Sequence, residues 1–247
     1  MKETPVAQSR ELILAVLPTG PLQVNTTLIA DPRAKRGWVI DPGGDPDRID
    51  EWMTAQGVTP AGILLTHGHF DHIGAVAELK KRWGAPVALH GGDHFMVERA
   101  SAQAQSYGLP PVDPFEIDHA WSEGEETFAE LDVDILHTPG HTPGSLLIRL
   151  PSGVVATGDT LFKGSVGRTD FPASDPAAMQ DSLRRLDAWL NEDEILIPGH
   201  GPNTTLADER RSNPFLQQAL RWRAGVNVKG EVDPKNWTVG FVKTEGA

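Results

Sequence analysis

Apolar residues along the chain gather into short runs separated by glycine- and proline-rich turns. Residues 12–17, 24–29 and 38–40 form three such runs, with Pro18, Gly20, Pro21 and the Asp31-Pro32-Arg33 stretch between them. Short strands at this spacing predict an antiparallel meander. Asp45 followed by Pro46 predicts the capped start of a helix through Ile49 and Trp52 to about Gln56, ended by Gly57. The run 62–65 then reads as a buried strand, and Ala75, Val76, Leu79 and Trp83 recur at helical spacing before another strand at 86–89. Strands and helices alternate here. Gly91-Gly92-Asp93 opens a helix through Phe95, Val97 and Ala100 that Gly108-Leu109-Pro110-Pro111 closes. The stretch 91–120 is the candidate for a surface excursion, a lid or a partner contact. Strands resume at 128–131, 133–136, 146–150 and 154–157. Met179, Leu183, Leu186 and Leu190 share one face of a helix over 177–190, Ile195-Leu196-Ile197 is a last strand, and a helix after Thr204-Thr205 runs to Asn213-Pro214. Residues 1–10 read as a loosely attached leader, and 217–247 as an extension of a single domain spanning 1–247 with its core over about 12–216.

One stretch breaks this pattern of packing and turns. Thr66-His67-Gly68-His69-Phe70-Asp71-His72-Ile73-Gly74 places three imidazoles and a carboxylate within six residues, on the turn between the strand at 62–65 and the helix after it. His67 and His69, two apart, lean the same way off extended backbone. Asp71 and His72 are expected to follow as the helix begins. Capping accounts for Asp71 alone; metal binding accounts for all four. Four nitrogen and oxygen donors on one loop exceed what a single closed site draws from one place, which implies two adjacent metals.

Composition narrows the chemistry. The chain has no cysteine, so thiolate ligands and disulfides are excluded and any metal is held by imidazole and carboxylate. Lys+Arg 22 against Asp+Glu 34 gives a net charge of −12, which disfavours nucleic acid and anionic membranes as partners. No run approaches membrane-spanning length and the N-terminal apolar run is too short for a signal peptide, so a cytoplasmic enzyme, monomer or homodimer, is expected.

Three further residues of ligand type stand beside glycine just past an apolar strand: His141 in His137-Thr138-Pro139-Gly140-His141, Asp159 in Thr157-Gly158-Asp159-Thr160, and His200 in Pro198-Gly199-His200-Gly201. His90, His94, His119 and His137 lack such a setting and read as structural, with His137 a neighbour of the His141 loop. Asp41, ending a strand ahead of the metal loop, reads either as a group orienting a ligand imidazole or as an Asp-Pro turn residue.

The order HxHxDH, His, Asp, His resembles the metallo-β-lactamase superfamily over about residues 12–216. The resemblance implies an α/β fold, an αββα sandwich, with a dinuclear site. It implies that His67, His69 and His141 hold one metal, Asp71, His72 and His200 the second, and Asp159 bridges both. Zinc is the expected ion, with iron and manganese as alternatives. The cysteine-ligated β-lactamases carry a thiolate where this chain has Asp159, which disfavours that activity. Gly158-Asp159-Thr160-Leu161-Phe162 with Gly167-Arg168, together with Gln103-Ala104, Tyr107-Gly108-Leu109-Pro110 and the run 164–172, is similar to the short bacterial branch of glyoxalase II, the hydroxyacylglutathione hydrolases. Two features depart from the longer enzymes of that family: Pro202 stands where they carry a tyrosine, and Asp170 replaces a tyrosine near the thiol carrier.

This resemblance implies hydrolysis of a small anionic thioester, an S-2-hydroxyacyl-glutathione, by a metal-bridging hydroxide. Two divalent ions offset by Asp71, Asp159 and one hydroxide leave the site about +1, enough to stabilise a tetrahedral oxyanion. A thiolate, with a pKa near ~8.5, leaves without a strong general acid. Asp71 can accept the proton of the attacking water, and Arg168 and Lys163 are the basic residues placed to contact a substrate carboxylate. The rival readings are a persulfide dioxygenase with one iron on His67, His141 and Asp159, and a lactone hydrolase of the same fold.

Overall fold

The computed structural model describes residues 11–221; the expectations for a leader at 1–10 and for the tail beyond Arg221 lie outside the described residues. The opening meander forms as the pattern predicts. Strands β1 (Ile13–Thr19), β2 (Val24–Asp31) and β3 (Arg36–Ile40) pair antiparallel in order. Helix α1 (Pro46–Ala55), β4 (Thr59–Leu64), α2 (Val76–Trp83), β5 (Val87–His90), α3 (His94–Ser106) and β6 (His119–Trp121) then alternate. Strands β3 to β6 pair in parallel, so the first sheet runs β1-β2-β3-β4-β5-β6.

A second sheet begins with β7 (Gly124–Phe128), β8 (Leu131–His137), β9 (Leu146–Arg149) and β10 (Val154–Gly158). A small hairpin, β11 (Leu161–Phe162) and β12 (Ser165–Val166), precedes α4 (Pro176–Trp189). Strand β13 (Ile195–Pro198) closes the sheet in the order β13-β10-β9-β8-β7, and α5 (Leu206–Ser212) and α6 (Pro214–Arg221) follow.

The two-residue period of the strands assigns the layers. On β2, Leu28 and Ala30 face α1, α2 and α3, joining Ile49, Met53, Val76, Leu79 and Val97, while Ile29 points the other way. Ile29 meets Trp38, Leu64, Ile135, Leu146 and Ile148 in the layer between the sheets. On β9, Leu147 turns outward to Met179, Leu183 and Leu186 of α4 and Leu216 of α6. Both sheets are therefore apolar on two faces, and the result is an αββα sandwich.

Several local expectations are corrected. Asp45 precedes α1 but does not cap it: its backbone is left-handed (φ 52°), and its carboxylate accepts from Gly20 N at 3.0 Å instead. Helix α2 starts at Val76, so Asp71 and His72 lie on a turned segment ahead of the helix. The expected strand at 128–131 is a hairpin turn: Phe128 pairs with Leu131 across Ala129 and Glu130, whose φ values of 49° and 69° are those of a type I′ turn. Neither residue is glycine or asparagine, so the sequence carried no turn signal there. Asn213-Pro214 opens a helix as well as ending one. Asn213 Oδ1 accepts from Phe215 N and Leu216 N, and Pro214 takes the first position of α6.

Candidate metal centre

Each residue of the expected site leaves the end of a strand at one edge of the sandwich. Asp41 follows β3, the 66–74 loop follows β4, and His141, Asp159 and His200 follow β8, β10 and β13. Backbone hydrogen bonds stitch the sheets together at this edge, Leu146 N donating to Thr66 O (3.0 Å) and Asn25 N to Gly199 O (2.8 Å). Asn25 Nδ2 adds bonds to the carbonyls of Pro198 (2.9 Å) and Gly201 (2.7 Å), clamping the His200 loop.

The seven residues converge. His69 Nδ1 lies 3.1 Å from His67 Nε2 and 2.8 Å from His141 Nε2. Asp71 Oδ2 lies 3.2 Å from His200 Nε2 and 3.9 Å from His72 Nε2. Between these groups sits Asp159, with Oδ1 3.3 Å from His72 Nε2 and Oδ2 3.5 Å from His141 Nε2 and 3.8 Å from His200 Nε2. A single carboxylate thus reaches both triplets.

The far nitrogens of the imidazoles set which nitrogen faces inward. His72 Nδ1 donates to Asp41 Oδ2 (2.9 Å), His141 Nδ1 to Arg168 O (2.8 Å) and His200 Nδ1 to Leu22 O (3.2 Å). Thr66 Oγ1 donates to Asp41 Oδ2 (2.6 Å), which leaves it free to accept from His67 Nδ1 at 3.1 Å. With those protons committed outward, the inward nitrogens of these four rings are the ones that offer lone pairs whenever the rings are neutral. Asp41 is therefore the orienting group and not merely a turn residue.

The donor set fits metal. His67, His69 and His141 bring three ligand atoms within 4.8 Å of one another, as do Asp71, His72 and His200. Asp41, His67 and His72 meet the same criterion, but the Asp41 carboxylate already accepts from Thr66 and the outer nitrogen of His72. His72 Nε2 and Asp159 Oδ1 are buried without a hydrogen-bond partner. They stand 3.3 Å apart, and a cation between them would satisfy both.

Electrostatics point the same way. Burial, reinforced by His72, holds the His67 imidazole well below its ordinary pKa, and burial with His141 lowers His69 to about 3. Both rings are neutral at neutral pH. Burial opposes ionisation of Asp159, but His200 and His72 outweigh it and hold the carboxyl well below the usual range. Burial likewise opposes protonation of His72 and His200; Asp159 with its neighbouring carboxylates prevails and raises both. A proton on either inward nitrogen would have to leave for a metal to be held there.

Asp93 was missed from the sequence, where it reads as a helix-opening residue. It is fully buried, and accepts from Gly68 N (2.9 Å), Thr142 Oγ1 (2.7 Å) and Gly144 N (2.6 Å), joining the first metal loop to the His141 loop. His137 Nε2 donates to Pro143 O (2.9 Å), supporting that loop as a neighbour. His90 stacks on His137, His94 meets Leu89 O and His119 pairs with Glu126, all outside the cluster. Lys163 is exposed at the tip of the β11–β12 hairpin. Arg168 lies nearer, but its guanidinium is paired with Asp170.

The sequence model of the metallo-β-lactamase superfamily matches residues 19–200. The chain belongs to that superfamily. Hydroxyacylglutathione hydrolase GloC of Haemophilus influenzae is 41% identical over 208 residues, 82% of this chain and 97% of the relative. Among solved structures, BLEG-1 B3 metallo-β-lactamase superposes with a TM-score of 0.77 at 35% identity, covering 83% of this chain and 99% of that one. TTHA1623 in a di-iron-bound form superposes at 0.74 and 40% identity, covering 81% and 99%. The αββα fold and a metallo-hydrolase activity follow for this superfamily member.

The close approach of Gly199 to the site gives a direct test of the cradle. A Cβ there would stand 2.1 Å from Asp159 Oδ1 and 2.6 Å from His72 Cε1. Gly199→Ala is expected to displace the carboxylate and weaken metal retention and kcat/KM by about 10–100-fold, the range for disturbed ligand support. Gly91→Ala, where a Cβ meets open space, is the control. Metal analysis and steady-state kinetics on the two variants check it.

Proposed function

We propose that this superfamily member hydrolyses a small anionic thioester, with S-2-hydroxyacyl-glutathiones as the substrate class and two divalent ions, predominantly zinc, as cofactors. The observation that carries the reading is the position of Asp159 between two complete triplets. His67, His69 and His141 would hold one ion, Asp71, His72 and His200 the other, and Asp159 both. Ions held there supply Lewis acidity for a carbonyl oxygen and lower the pKa of water towards about 7.

The chain's own residues do the rest. Burial opposes ionisation of Asp71, but His72 and His200 outweigh it and keep its pKa below the ordinary value, so its carboxylate is available to take a proton from an attacking water. Phe171 packs edge-on against His69 (5.3 Å between centroids) and Phe162 lies 6.2 Å from His200, forming apolar walls on either side. A thiolate needs no strong acid to leave, so a site built of carboxylates and lone-pair imidazoles suits a thioester better than an amide. The one-iron reading assigns His67, His141 and Asp159 but leaves Asp71, His72 and His200 without a role.

The test is a substrate panel on one preparation of known metal content: S-lactoylglutathione, a lactone, a β-lactam, and glutathione persulfide with oxygen uptake recorded. Close to two metal ions per chain are expected, with kcat/KM for the thioester at least about 100-fold above the lactone and the β-lactam, a margin of ~2.7 kcal/mol in transition-state binding. Oxygen consumption with the persulfide, or faster opening of either ring, overturns the reading.

A further inference from the structure

Arg168 holds its guanidinium on the aromatic wall of the candidate centre. Its carbonyl holds His141 Nδ1 at 2.8 Å, its guanidinium lies over the Phe171 ring at 4.6 Å, and that ring in turn packs on His69 and His141. A cation therefore stands one aromatic ring away from the reacting centre. One edge of its fork, Nε with Nη2, is already filled. Nε donates to Asp170 Oδ1 (2.9 Å) and Nη2 to Asp170 Oδ2 (2.7 Å), the two parallel bonds by which a guanidinium receives a free carboxylate.

The pair is not locked in place. The two side chains are 33% and 42% exposed, and exposed ion pairs contribute little net stability. An incoming carboxylate can replace Asp170 without stranding a buried charge. The single intervening residue, Thr169, nevertheless keeps Asp170 at high effective concentration, so it competes persistently.

We propose that Asp170 is a specificity-determining residue: an internal carboxylate that occupies the Nε–Nη2 edge of Arg168 and competes for the guanidinium with the carboxylate of an anionic substrate. This rests on the thioester reading for the substrate, though not for the binding event. Competition sets a ceiling on affinity for carboxylate-bearing thiol carriers, because part of the guanidinium's attraction is spent internally. Asp170 also repels the second negative charge of any such carrier. A carrier with its carboxyls esterified does not compete for the fork.

Binding decides the matter without turnover. S-hexylglutathione and its diethyl ester are titrated calorimetrically into the metal-loaded protein, and the ratio of the two Kd values, acid over ester, is compared among variants. Asp170→Asn is expected to lower that ratio about 2- to 5-fold, the scale of an exposed charge pair removed. Asp170→Ser, which leaves a shorter neutral side chain, is expected to lower it similarly. Adding Arg168→Ala to Asp170→Asn should cancel the gain.

A ratio unchanged in both single variants overturns the proposal. So does a rise, which would mean that Asp170 braces Arg168 for the ligand. Failure of the acid to bind any variant overturns it as well. Thioester turnover absent while the ratio shifts as expected would instead remove the thioesterase reading and leave the Asp170 competition standing.

Discussion

Asp159→Ala protein is expected to lose both metals together and with them on the order of 10³-fold or more of its kcat/KM, beyond the 10²–10³ typical for a single transition-state stabiliser. The reason is geometric. Among the described residues of the cluster, Asp159 is the carboxylate that approaches both triplets, Oδ1 nearing His72 and Oδ2 nearing His141 and His200. It is 8% exposed, so little water is available to substitute for it. A variant in the second triplet separates two-ion from one-ion chemistry. His200→Ala removes one ligand near Asp71 and leaves His67, His69, His141 and Asp159 intact. A two-ion enzyme should fall to about one metal per chain and lose most of its activity, whereas a one-ion enzyme on His67, His141 and Asp159 would keep both. Elemental analysis and kinetics on the two variants settle the comparison, and undiminished activity in Asp159→Ala would sink the dinuclear assignment.

Legibility in the sequence followed the strength of the local signal. The 66–74 loop could be read because histidines two and three apart beside an aspartate have no packing explanation. His141, Asp159 and His200 could be read because each sits past an apolar run beside glycine. Layer order was legible only through the resemblance; the period-2 alternation on β2 and β9 becomes an αββα order once pairing is known, and pairing is non-local. The groups that hold the ligands were harder. Asp93 reads as a helix opener because its partners, Gly68, Thr142 and Gly144, lie 25, 49 and 51 residues away. Asn25 looks like a strand residue, yet clamps carbonyls 173 and 176 residues on. Arg168 was legible as a cation near the site, but its neutralisation by Asp170 was not, since an Arg-x-Asp spacing carries no geometry by itself. The hairpin turn at Ala129-Glu130 was hidden by residues that seldom adopt positive φ.

Asp41→Asn is expected to weaken metal binding by about 100-fold, the upper end for loss of an orienting partner, while the protein still folds. Asp41 sits at φ 51°, a left-handed conformation that asparagine also accepts, so the backbone is not at issue. The amide oxygen can still accept from Thr66 N, as Oδ1 does now at 2.8 Å. Its NH2, however, stands where Oδ2 accepts from both Thr66 Oγ1 (2.6 Å) and His72 Nδ1 (2.9 Å). A donor there forces His72 to accept at Nδ1 and carry its proton on Nε2, pointing into the centre. Thr66 must also turn to accept from the amide, and its hydroxyl proton then faces His67 Nδ1, 3.1 Å away. One substitution thus inverts two ligand imidazoles, one in each triplet. Stability of the metal-free protein should fall by only about 1.5–3 kcal/mol, the worth of a hydrogen bond to a charged group. Asp41→Ala provides the contrast. It removes the acceptor without imposing a donor, so it should cost more stability than Asp41→Asn yet less metal affinity. Chelator competition for affinity and denaturant melts of the metal-free proteins measure the two quantities separately. If both variants weaken metal binding in simple proportion to their loss of stability, Asp41 serves the fold alone and the tautomer argument fails.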